Sequence, residues 1–220
     1  MYARFLPLLL SIALLSIVLP WIVAAPAFAA GPIPPPPPTA EELAAYMPDG
    51  ARIEARLDAD VTGDGMPDVV FVAANDDVRV LRVMMAYAEE VANGYDPIAE
   101  GAMEIDPLGA ASLSVKKGVL LVDDLSGGTT AIQSLYRYRF DPKTRRMRLI
   151  GDDVTLYSRT NAHGKTAIST NRLTGVQIVK RSEVGENGYT DQPIQKKTAP
   201  TTPVYMEGAP LPSKTLGWGD

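Results

Sequence analysis

The densest chemistry in the chain is the run Asp58-Ala59-Asp60-Val61-Thr62-Gly63-Asp64-Gly65-Met66-Pro67-Asp68. Counted from Asp60, oxygen-bearing side chains fall at positions 1, 3, 5 and 9, which are Asp60, Thr62, Asp64 and Asp68. Gly65 stands at position 6, where a sharp turn lets a chain wrap a cation, and the Met66 backbone carbonyl would supply position 7. Calcium, a hard ion that takes roughly six to eight oxygens, suits such a donor set. The loop is not an EF-hand. Position 12 is Phe71 in place of a bidentate glutamate, and a valine-rich run follows where a helix would be needed. Two alternatives stay open: the register could start at Asp58, or the run could be an Asx-rich turn that holds itself without metal.

The stretch from Ala59 to Val70 resembles the calcium loop of FG-GAP and VCBS repeats, the units of integrin-like β-propeller blades. The wider layout is similar to a group of uncharacterised bacterial exported proteins that carry one such loop. The likeness spans about residues 47–180. It rests on Met47-Pro48-Asp49-Gly50 before the loop, then on Tyr136-Arg137-Tyr138 with Leu149-Ile150-Gly151, and on the turn Asn171-Arg172-Leu173-Thr174-Gly175. The sequence departs at Thr62, where Asp or Asn would bind better, and a single loop does not make a multi-blade propeller. The resemblance implies a calcium-stabilised β-domain and implies no catalytic activity.

Other constellations are weaker. Asp123-Asp124 and Asp152-Asp153 invite a reading as catalytic pairs, yet neighbours on a strand point to opposite faces. Both pairs follow apolar runs and are expected to open turns. Ser126-Gly127-Gly128-Thr129 is glycine-rich but lacks a Walker lysine and a following helix. His163, the one histidine, is expected exposed at a hairpin tip, and no nucleophile motif surrounds Ser158. Arg137 and Arg139 share one strand face, and Arg146 and Arg148 share a face on the next. If the strands pair, the four guanidinium groups form a patch that could grip an anionic polymer, or a solvated face balanced by cross-strand acids.

The elements that must position these residues are strands. Arg52 to Leu57 alternates, with Ile53, Ala55 and Leu57 on one side, and Val69 to Ala73 is valine-rich. Asn75-Asp76-Asp77 turns the chain into Val78 to Met85. Leu113–Lys116 and Val119–Val122 make a hairpin about Lys117-Gly118. Ile132 to Phe140 alternates, and Asp141 to Thr144 turns it into Arg146 to Ile150. Val154–Tyr157, Thr166–Ser169 and Val176–Lys180 follow. The fold class is therefore all-β, antiparallel meander sheets resembling propeller blades, with a short N-terminal helix capped by the Thr39/Glu42 box and irregular termini.

Residues 1–29 have the layout of a signal peptide. Arg4 precedes the apolar run Leu8–Leu19, and Ala27-Phe28-Ala29 supplies the small-x-small cleavage pattern, which puts cleavage after Ala29. Retention of this segment as an anchor is the alternative, because apolar residues continue through Trp21-Ile22-Val23. Residues 30–38 read as a proline-rich spacer, 39–181 as the β-domain with halves 50–108 and 110–181, and 182–220 as a mostly irregular tail. Within that tail Pro203-Val204-Tyr205-Met206 is the piece expected to dock on the domain.

Cysteine is absent from the 220 residues, which excludes disulfides, thiolate catalysis, cysteine-based zinc sites and a lipid-modified N-terminal cysteine. The net charge of −5, one unit more negative without Arg4, gives no global pull toward nucleic acid. The sequence thus points to a periplasmic or secreted protein with no membrane span after cleavage. Two functions compete. One is a non-catalytic domain that binds an envelope protein or glycan. The other is a hydrolase of envelope polymer that gathers two or more of Asp76, Glu104, Asp123, Asp124 and Asp152 in a cleft.

Overall fold

The computed structural model describes residues 33–186 and 188–218. The expected signal, its cleavage point and the first residues of the proline segment lie outside the described residues. Helix α1 (Ala40–Ala44) leads into β1 (Arg52–Ala59), β2 (Asp68–Ala74), β3 (Arg79–Ala88) and β4 (Asn93–Ala102). These strands form one antiparallel meander in the order β1-β2-β3-β4. Strands β5 (Ser112–Lys116), β6 (Val119–Gly127), β7 (Thr130–Asp141), β8 (Arg146–Ser158), β9 (Lys165–Asn171) and β10 (Val176–Gly185) form a second. The fold is all-β and antiparallel, as its turn chemistry predicts. Lys117 and Gly118, both with positive φ, close the β5–β6 hairpin. Asn75 Oδ1 accepts the Asp77 and Val78 amides at the β2–β3 turn.

Strand β2 reads as an unbroken apolar run because both of its faces are covered. Val70 and Val72 join Leu81 and Val83 in a core shared with Leu120, Val122, Tyr138, Met147 and Leu149 of the second sheet. Val69, Phe71 and Ala73 face the other way and pack with Leu43 of α1. The Thr39/Glu42 capping box that starts α1 is present, with the Thr39 amide donating to Glu42 over 2.7 Å and the Glu42 amide to Thr39 Oγ1 over 3.2 Å.

Four sequence expectations are corrected. Ile53 does not share a face with Ala55 and Leu57: the pairing with β2 shifts between Ile53 and Ala55, so Ile53 packs beside α1 while the other two join the inter-sheet core. Asp123-Asp124 and Asp152-Asp153 open no turns. They lie within β6 and β8, and β8 runs unbroken where two strands were expected. The proline segment does not stand clear of the domain: Pro35 is buried and the Pro38 carbonyl accepts from Arg56 over 2.8 Å. The tail is more regular than its composition suggests. Strands β11 (Gly188–Asp191) and β12 (Gln195–Thr198) both edge β10, and β13 (Val204–Tyr205) pairs with β8 beyond the reach of β9. Met206, in a 3-10 turn, is buried, so the expected docking piece does dock. Helix α2 (Pro212–Thr215) ends the described chain. Among the described residues no helix is long and apolar enough to cross a membrane.

Candidate functional site

The acidic loop joins β1 to β2 and is densely bonded to itself. The Asp60 carboxylate accepts the amides of Gly63 at 2.6 Å and Gly65 at 2.9 Å, and the Thr62 hydroxyl lies 3.5 Å from its Oδ1. Asp64 accepts the Met66 amide at 2.8 Å. Gly63 and Gly65 adopt positive φ, which lets their amides turn inward toward Asp60. Asp58 leaves the loop and takes a two-point contact with Arg56.

Asp68 behaves differently from the rest. It is 0% exposed, and its two oxygens accept three backbone amides: Val61 at 2.8 Å, Thr62 at 3.0 Å and Ala86 of β3 at 2.9 Å. Burial pushes its carboxyl above the ordinary range, against the pull of those N–H donors. Asp68 is thus an internal clasp that holds the loop to the sheet. No group of three acids or histidines converges to hold a metal among the described residues. Of the five expected ligands, Asp68 is taken up by backbone amides of the loop and of β3. Asp60, Thr62, Asp64 and the Met66 carbonyl keep the right oxygen chemistry, whereas Asp68 is committed elsewhere.

The two sheets are joined by a buried ionic group that sequence reading missed. Arg79 of β3 points between the sheets and meets Glu54 through contacts of 2.7 and 2.6 Å, Asp124 through two of 2.8 Å, and the Glu104 carbonyl at 3.1 Å. All five guanidinium N–H groups are engaged. The shift of pairing around Glu54 is what brings this side chain to Arg79, a re-aiming that β-bulges commonly perform. Glu54 also accepts the Ala111 amide at 2.8 Å. Asp152 is likewise fully buried and held by Arg172 over 2.5 and 3.1 Å. The available signals were Arg79 set among valines and Arg172 inside the Asn171–Gly175 turn. Neither names its partner.

No family model, curated protein or solved structure matches the chain. The reading of function therefore stands on the chain's own geometry. Of the carboxylates a hydrolase would gather, Asp124 and Glu104 do reach one small inter-sheet cavity, beside Ser134 and Tyr136. Asp124 is spent on Arg79, and Glu104 accepts the Ser213 amide at 2.8 Å. The tail closes over this cavity through Pro210, whose carbonyl accepts the Tyr136 hydroxyl at 2.7 Å. Burial holds the Tyr136 phenol well above its ordinary range, so it stays protonated and donates that bond.

The basic patch forms in part. The Asp141–Thr144 turn pairs β7 with β8, and Arg139 lies directly opposite Arg148. Arg137 is drawn to Asp153 at 2.6 Å. Arg146 pairs with Glu207 at 2.9 Å and lies over the Tyr205 ring at 4.1 Å. Cross-strand and tail acids thus balance two of the four arginines. His163 is half-buried, against expectation, because one ring nitrogen bonds the Thr130 hydroxyl at 2.8 Å. The Ser158 hydroxyl accepts the Ala162 amide at 2.8 Å and sits 3.3 Å from Thr160 Oγ1, a turn-forming arrangement in which no histidine or carboxylate bonds that hydroxyl among the described residues.

Proposed function

We propose that this is an exported, non-catalytic β-domain of the cell envelope that binds an envelope glycan or protein. The observation that carries this reading is the fate of the buried carboxylates. Asp124 and Asp152 are buried and held at two points each by Arg79 and Arg172, so their carboxylate oxygens are turned to internal partners and not to a substrate. Acid–base catalysis needs a group poised near the working pH and within reach of a substrate. The surface keeps its unneutralised cations instead, which favours recognition.

Calcium enters this reading as a brace for the β1–β2 loop, in keeping with the likeness to FG-GAP and VCBS loops. Asp60, Thr62, Asp64 and the Met66 carbonyl would hold it, with water completing the shell. A site with two carboxylates belongs with weak extracellular calcium modules, in the range of about 0.1–1 mM.

Co-sedimentation of the mature chain with isolated envelope tests the binding reading. Saturable retention on the glycan or the protein fraction is the expected result, and a chain that stays in the supernatant with both fractions would refute it.

A further inference from the structure

Arg139 and Arg148 face each other across β7 and β8. Like charges in that position repel, and folded sheets normally place an acid nearby. Arg137 and Arg146 have such acids, whereas Arg139 and Arg148 make no ion pair among the described residues. Arg148 Nε is also buried and has no hydrogen-bond partner there. Two facing guanidinium groups without an acid between them carry a repulsion that an incoming anion would relieve.

The two arginines line a surface hollow together with Lys143, Asp141, Ile150 and Leu173. Asp141 is its one acid, and that carboxylate is occupied: it accepts the Lys143 amide at 3.0 Å and the Tyr205 hydroxyl at 3.2 Å. Burial tends to raise the Asp141 carboxyl, but those donors hold it below its ordinary range. Leu173, at the tip of the β9–β10 turn, is 47% exposed and forms an apolar wall beside the cationic one. A hollow with one charged and one apolar wall suits a sugar ring that carries an acidic group. The C–H face meets Leu173 and Ile150, and the oxyanion meets two guanidinium forks and an ammonium.

We infer that Arg139, Lys143 and Arg148 form a binding site for the oxyanion of an acidic glycan. This deepens the binding function proposed above and rests on it. The shared chemistry is a carboxylate or a phosphate on a carbohydrate chain, and the site reads that group without breaking a bond.

The test is affinity electrophoresis of the full chain through gels containing polygalacturonate, a poly(glycerol phosphate), or neutral dextran. Retardation by at least one anionic polymer and none by dextran is expected, and the polymer that retards identifies carboxylate or phosphate as the group read. Replacing Arg139 and Arg148 together by Ala should weaken binding about ten-fold or more, which is about 1.4 kcal/mol. Arg139→Glu alone, at an exposed position, should do the same and guards against a folding artefact. Arg137→Ala, whose partner is Asp153, should leave affinity unchanged. No retardation by either anionic polymer, equal retardation by dextran, or an unaltered double variant would each overturn the site. Co-sedimentation with envelope separates the two claims. A double variant that still sediments keeps the binding function and loses this site, and a wild type that fails to sediment loses the function itself.

Discussion

Arg79 and Asp124, 45 positions apart in the sequence, meet across the two sheets through a pair of 2.8 Å hydrogen bonds with almost no exposure to water. Glu54 grips the same guanidinium from β1. Strands from both meanders are therefore tied at one charged point inside an apolar core. Burial alone would lower the basicity of Arg79, but the two carboxylates hold it above the ordinary value.

Removing one partner from such a group strands the others in a medium that solvates them poorly. Arg79→Ala should cost about 3–5 kcal/mol. Arg137→Ala, which breaks a half-exposed pair with Asp153, should cost about 0–1 kcal/mol. Urea unfolding of the two variants beside the parent measures both.

Acid should weaken the fold through Glu54. Burial raises its carboxyl, but the bonds from Arg79 and the Ala111 amide outweigh that and set it below the ordinary 4.5. A carboxylate with a lowered folded value contributes stability that is fully present above its unfolded value. That contribution is lost as pH falls through the folded one. Unfolding free energy should thus decline below about pH 4.5. Asp68, shifted upward, works in the opposite direction, so the clean readout is the difference between the parent and Glu54→Gln across that window. The variant should show the shallower decline.

The acidic loop separates into a clasp and a rim. Asp68→Ala leaves the amides of Val61, Thr62 and Ala86 without their acceptor, at about 1–3 kcal/mol for each buried group so exposed. That loss should be the same with chelator and with calcium. Asp64→Ala should hardly change stability in chelator but should abolish the response to calcium. In the parent, millimolar calcium should raise the melting temperature and magnesium should do so less. The gain follows ligand excess, about 2.7 kcal/mol at a hundredfold excess over Kd. Differential scanning calorimetry in chelator, calcium and magnesium resolves the two roles.

Much of the fold was legible because its signals are local. The capping box at Thr39, the Lys117-Gly118 hairpin and the Asn171–Gly175 turn each need only a few neighbouring residues. Alternation also placed Asp123 and Asp124 on opposite faces correctly, since one is exposed and the other buried. What the sequence hid is pairing at a distance. Asp124 and Asp152 look like turn openers until Arg79 and Arg172 are seen to neutralise them. Glu54 looks like the outward side of an alternating strand until the pairing shifts around it. In the loop the residue types were readable, but the commitment of Asp68 depends on the Ala86 amide, which another strand supplies.

The central claim is that this domain binds envelope polymer without cleaving it. A time course of soluble fragments released from purified envelope glycan, at saturating protein, tests that claim most directly. The account predicts polymer-bound protein that reaches a plateau while fragment release stays at the protein-free baseline. Steady release above that baseline, abolished by Asp124→Asn or Glu104→Gln in variants that still fold, would contradict it and install the inter-sheet cavity as an active site.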